Sequence, residues 1–233
     1  MPAHAAELRV LAGGGITGPL NALATEFERS TGHKVVIQYD ATPGLIKRAG
    51  SEPFDLGVAP REVYADAGAR AMFAPGPTVD IARVGFGVAV RTGARKPDIG
   101  TPDKLKAALL AAQSIAFLPA SAAGAQVIKV FERLGIAEEM KAKTKAQTSP
   151  AAIPQAVAKG DAELGVFLIN VLMAPGVDVV GPFPKEVQQE LEYKAAVARD
   201  SKETEAAKAF IAFLTTPAAA AVIKSKGMEP APR

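Results

Sequence analysis

Residues 10–20 read VLAGGGITGPL: an apolar run, three consecutive glycines, then the opening of a helical segment, PLNALATEFERSTG. A short apolar run ending in glycine is the mark of a buried parallel strand, and Leu20, Leu23, Ala24 and Phe27 recur at the spacing of one helical face. Pro19 suits the first turn of that helix and Gly32 its end. Strand, glycine turn and helix in this order make the front half of a β-α-β unit, and the turn between them leaves the backbone open to close approach.

The pattern repeats outward from this stretch. KVVIQYD (34–40) reads as a second strand, and a helix follows the break ATPG through LIKRAG. FDLGVAP (54–60) is a third strand closed by Pro60, with REVYADAGARA as one helix after it. VGFGVAVRTG (84–93) and SIAFLPA (114–120) read as strands. TPDKLKAALLAA is a helix opened by Thr101 with Pro102 at its first position, and AGAQVIKVFERLG is a helix with apolar positions 127, 128, 130, 131 and 134. TSPAAIPQAVAKGDAELGVFLI gives a further helix and strand, GVDVVGPF and LEYKAAVAR two more strands, and SKETEAAKAFIAFLTTPAAAAVIKSKG two closing helices split at Pro217. Two sets of β-α units flank a central segment, so the fold class is α/β, with two doubly wound lobes: residues 1–80 plus 196–233, and residues 81–195.

Composition narrows the function. The chain of 233 residues has 27 basic against 24 acidic side chains, a net charge of +3 that is too small and too evenly spread for a nucleic-acid surface. The cluster EEMKAKTKAQ reads as a solvated helix end. There is no Cys, and the two His residues, His4 and His33, form no ligand pattern, so neither metal nor other cofactor is expected. No apolar run approaches the roughly 18 residues that span a bilayer, so no membrane insertion is expected. AHA at 3–5 followed by AEL has the small-x-small form of a secretory cleavage site, which suggests that Met1 and Pro2 replace a removed signal peptide and that the protein is periplasmic; a plain alanine-rich terminus is the alternative.

The order LRVLAGGGITGPLNALATEFERSTGHKVVIQY, FDLGVAP, VAKGDAELGVF and EAAKAFIAFLTTPAAAAVIKSKGME resembles a type II periplasmic solute-binding protein, and more narrowly the molybdate-receptor group of ABC-transporter binding proteins. The resemblance runs along nearly the whole chain. It implies two α/β lobes joined by two crossing strands, with a small anion held in the cleft by backbone N–H groups, hydroxyls and helix N-termini, and an ABC permease as partner. The departures bear on the ligand. Gly15 stands where the family has an oxyanion-binding serine, Thr42 is nearest to a second such serine, and Leu168 stands where the family has a tyrosine.

The resemblance implies ligand contacts at Gly14, Gly15, Ile16, Thr17 and Thr42 in the first lobe, and at Ser121, Ala123, Gly124 and Asn170 in the second. Helix N-termini at these turns favour anions by their unpaired N–H groups and partial positive charge. Arg83, where the first crossing strand begins, is the candidate to clamp a carboxylate, and Arg61 is a second. Each has a plainer reading: the glycines as packing, Thr17 and Thr42 as helix caps, Arg83 as a surface residue. The glycine at position 15 widens the site, which favours an organic di- or tricarboxylate over tetrahedral molybdate. Two function classes follow: a receptor that binds and delivers such an acid, or an enzyme of the aconitate isomerase kind on the same scaffold, with an oxyanion receptor as the third reading. The enzyme needs a general base, and Asp40, Asp55 and Glu62, near strand ends, are equally explicable as caps or surface charges.

Overall fold

The computed structural model describes residues 5–232, so Ala3 and His4 of the suggested cleavage site lie outside the described residues. The chain divides into two compact units, residues 1–83 with 192–233, and residues 84–191. In chain order the first unit holds β1 (Glu7–Gly13), a 3-10 turn (Gly14–Ile16), α1 (Thr17–Thr31), β2 (Lys34–Asp40), α2 (Thr42–Ala49), β3 (Leu56–Pro60), α3 (Arg61–Ala65) and α4 (Ala67–Arg70). Strand β4 (Val79–Arg91) carries the chain into the second unit. That unit contains α5 (Pro102–Ala111), β5 (Ile115–Phe117), α6 (Ala122–Arg133), α7 (Ala137–Lys143), β6 (Thr144–Ala146), α8 (Ala152–Lys159), β7 (Leu164–Leu168), α9 (Ile169–Leu172) and β8 (Val177–Pro182). Strand β9 (Glu190–Val197) returns the chain to the first unit, which closes with α10 (Thr204–Leu214), α11 (Pro217–Ser225) and β10 (Glu229–Pro230).

In the first unit β2, β1 and β3 lie side by side and parallel, and β9 pairs antiparallel with β3. Parallel strands need both faces covered, which is why β3 is apolar and buried throughout and β1 is so from Val10 to Gly13, with Glu7 and Arg9 exposed at its start. Helix α1 covers one face with Leu20, Leu23, Ala24 and Phe27, all buried, and ends at Gly32 in the left-handed conformation (φ 76°) that glycine adopts without strain. The Phe27 ring meets Phe210 of α10 at 4.8 Å and Phe213 at 5.6 Å, a compact aromatic cluster beneath the sheet. The other face carries a core that includes Leu45, Phe54, Tyr64 and Phe73. In the second unit β5 runs parallel to β6 and β7, and β4 pairs antiparallel with β7 and β8. No single helix among the described residues is long and apolar enough to cross a membrane.

Several expectations change. The segment ATPG is no break: α2 begins at Thr42, with Pro43 in its first turn, where a proline's missing N–H is harmless. REVYADAGARA is two short helices, because Asp66 leaves the helical conformation and its side chain accepts from the Ala69 amide to start α4. The lysine cluster is not only a solvated helix end. Its second half pairs with β5 as β6, and the Lys143 ammonium donates to the Ala112 carbonyl at 2.8 Å and to Leu110, satisfying carbonyls at the C-terminus of α5.

Candidate functional site

Strands β1, β2 and β3 are parallel, so they finish at one sheet edge, with Gly13 in register with Asp40. In open α/β sheets the loops beyond the C-terminal strand ends are where ligands bind. This edge of the first unit gathers Gly14, Gly15, Ile16 and Thr17, together with Thr42 at the start of α2. Neither the 3-10 turn nor α1 has a side-chain cap. The Thr17 hydroxyl donates instead to the Gly14 carbonyl at 2.8 Å, and Thr42 is half-buried at the first position of α2.

Tyr193 of β9 supplies what the turn lacks. Its register partner is Pro60, and it is 2% exposed. Its hydroxyl oxygen accepts from the Gly15 amide, and burial pushes its pKa up, with the charge of Glu62 adding to the rise and the Gly15 bond opposing it. Gly13 must be glycine for this arrangement: a Cβ there would lie 2.9 Å from both Pro60 Cδ and Tyr193 Cε1. The alternation in ELEYKAAV places Leu191 and Tyr193 on the buried face of a strand, but nothing in it names the Gly15 amide as the partner.

The three carboxylates at or near strand ends separate clearly. Asp40 accepts from the Ala41 amide at 2.8 Å and pairs with Arg48 Nε at 2.9 Å; Gly44 leaves room for it, since a Cβ there would fall 2.2 Å from the carboxyl carbon. Asp55 is 1% exposed and accepts from the Arg9 amide at 2.8 Å and the Ser201 hydroxyl at 3.0 Å, so it is a structural group that ties the start of β3 to β1 and to the loop before α10. Glu62, in the only turn of α3, is different. Its Oε1 lies 3.6 Å from Arg61 Nε, while its Oε2 is buried and has no hydrogen-bond partner. Arg61 also reaches Glu192 at 3.3 Å, so two carboxylates already share its guanidinium. Arg83 is exposed within β4 and is paired in register with Glu229 of β10.

In the second unit β5 and β7 are parallel neighbours, so the turn before α6 and the residues after Leu168 lie beyond one sheet edge. Ser121 caps α6: its hydroxyl accepts from the Gly124 amide at 2.9 Å and donates to the Leu118 carbonyl at 2.8 Å. Ala123 is buried in the first turn of the helix. Gly124 is a packing requirement, because a Cβ would sit 2.0 Å from the Leu118 oxygen and 2.7 Å from that of Pro119. Asn170 is half-buried on α9, and Leu168 is 1% exposed, so the end of β7 offers the core a methyl group and no hydroxyl. The amides of Gly15 and Gly124 thus both donate to protein hydroxyls, while the N-termini of α1 and α6 retain their partial positive charge.

Residues 8–229 match the family model described as a bacterial extracellular solute-binding protein. The chain is 34% identical to an aconitate isomerase from a Pseudomonas species, over 97% of this chain and 88% of that one. It is 29% identical to a molybdate-binding protein of Azotobacter vinelandii, over 97% and 90%. Among solved structures, an Azotobacter vinelandii periplasmic molybdate-binding protein superposes with a TM-score of 0.79 at 20% identity, covering 97% of this chain and all of that one.

Proposed function

This chain belongs to the bacterial extracellular solute-binding protein family, and from that premise we propose that it captures a small organic di- or tricarboxylate. One observation carries the choice of ligand: the two positions where the molybdate receptors have a serine and a tyrosine hold Gly15 and Leu168, and neither brings a hydroxyl to the strand-end turns. A tetrahedral oxyanion would lose two donors there, and a polar site short of donors discriminates strongly against the ligand that needs them. An organic acid, larger and able to use several amides, hydroxyls and a helix N-terminus at once, suits the space better. The similarity to a protein named aconitate isomerase points to the same ligand class. On this reading Gly14, Gly15, Ile16, Thr17 and Thr42, at the strand-end edge of the first unit, contact the acid. The protein works in the periplasm and delivers its ligand to an ABC permease.

A second reading, favoured by the unpartnered Oε2 of Glu62, is catalysis of a 1,3-proton shift in an unsaturated tricarboxylate. Glu62 would take a proton from the methylene carbon; the C–H electron pair would form the new double bond, and the proton would return to the former vinyl carbon.

The test pairs a thermal-shift series with proton NMR. A rise in Tm with citrate, malate, tricarballylate or an aconitate, and none with molybdate or tungstate, supports the organic-acid reading. Interconversion of cis- and trans-aconitate by catalytic amounts of protein decides for the isomerase. A shift with molybdate alone would sink both.

A further inference from the structure

We infer that the first unit carries a second binding site, at the sheet edge opposite the strand-end turns, which takes a monocarboxylic acid with an apolar body, aromatic or branched. The site is separate from the one proposed above and does not depend on it.

Strands β1 and β3 are parallel, so their N-terminal ends share this edge, and β9, antiparallel to β3, finishes here. Beyond them lies a cavity of about 430 Å³, within the size range of small-molecule pockets, whose lining includes Arg9, Glu52, Phe54, Met72, Asp200 and Lys202. All six belong to the first unit. Arg9 is held from behind by a buried carboxylate: Asp55 accepts from the Arg9 amide at 2.8 Å and lies 3.7 Å from Arg9 Nε, while the arginine side chain stays 46% exposed. A guanidinium fixed through its Nε keeps its outer nitrogens for a second carboxylate, which they grip with two parallel hydrogen bonds. Lys202, exposed in the loop between β9 and α10, adds another cation to the same lining.

Phe54 and Met72 supply the apolar wall. Phe54 meets Phe73 edge-on at 5.3 Å, and Met72 packs on the same core cluster, so both are anchored from beneath. The remaining two charges limit the ligand. Glu52 and Asp200 lie in the same lining and are already matched, Glu52 by Arg48 at 2.7 Å and Asp200 by Arg199 at 3.4 Å. An ammonium group gains little from acids that have partners. A second carboxylate on the ligand meets like charge, which is the repulsive half of specificity. One negative charge on an apolar body suits the cations, the wall and the limit together.

The test follows the methyl signal of Met72, one of five methionines, by NMR of protein labelled at the methionine methyl carbons, with Met72→Leu to assign it. The probes are hydrocinnamate, hydrocinnamyl alcohol, phenylsuccinate and phenylalanine. Hydrocinnamate is expected to shift the Met72 signal saturably and to bind at least about tenfold more tightly than each of the others. In Lys202→Gln, a change at an exposed side chain, affinity for the acid falls about threefold, and in Arg9→Gln about tenfold, with that for the alcohol unchanged. A Met72 signal that does not move, or equal affinity for acid and alcohol, overturns the inference. Tighter binding of phenylsuccinate or phenylalanine overturns it too, as does an acid affinity that Lys202→Gln leaves intact. The wild-type titration and Lys202→Gln stand even if Arg9→Gln fails to fold. None of these results bears on the organic-acid reading, whose ligands carry two or three carboxylates.

Discussion

The turn before α6 is held by a residue of its own segment: Ser121 accepts from the Gly124 amide three residues on. The turn into α1 has no such residue, and its Gly15 amide is taken by Tyr193 from β9, at the far end of the chain. Both turns follow parallel strands and precede helices of twelve or more residues. The difference teaches that a strand-end turn can be ordered either by its own capping chemistry or by a strand that happens to lie beside it. The second kind leaves the turn's sequence free to be all glycine.

The largest effect that sharpens this contrast is expected at Gly124. Alanine there drives a Cβ into backbone oxygens that cannot move aside, and Gly124→Ala should destabilise the fold by about 3 kcal/mol. Urea unfolding with an unchanged slope measures it. Tyr193→Phe comes next. It keeps the ring that packs on Gly13 and removes only the acceptor, so the buried Gly15 N–H is left without it, at about 2 kcal/mol. Amide exchange should speed up at Gly15 and stay the same at Gly124. Equal exchange at both would mean that β9 does not order the first turn. Ser121→Ala is the smallest, about 1 kcal/mol, because it deletes one cap on an otherwise intact helix. Ser121→Asp should restore most of it, and a loss as large as that of Tyr193→Phe would break the distinction between the two turns.

The legible part of the fold follows the same division. Helix α1 was readable because its apolar face and both its ends are written in one segment, and α5 because Thr101 and Pro102 are adjacent to the helix they start. The misread elements depend on partners. Strand β6 is three residues of a lysine-rich stretch with no strand period, and it exists because β5 lies beside it. Helix α2 starts earlier than its Pro-Gly suggests because Gly44 makes room for the Asp40 carboxylate.

The candidate site divides likewise. Gly13, Gly124 and Ser121 could be picked out by position, yet the reasons at hand, a Cβ clash with Pro60 and Tyr193, a clash with Leu118, a cap that consumes its own amide, appear only with the neighbours in place. Three carboxylates near strand ends looked equivalent, and tertiary contacts assigned Asp40 to Arg48, Asp55 to Arg9 and Ser201, and left Glu62 with a buried oxygen unclaimed.

The sequence by itself determined the alternation of strands and helices, the turns between them and the helix ends, because hydrophobic period, capping and glycine freedom act over a few residues. Only the tertiary structure decided that Tyr193 holds Gly15 and that Glu62 keeps an unmatched oxygen. A hydrogen-bond partner is set by which strand lands alongside, and the register of β9 against β3 is fixed by the packing of both faces, which no single segment contains.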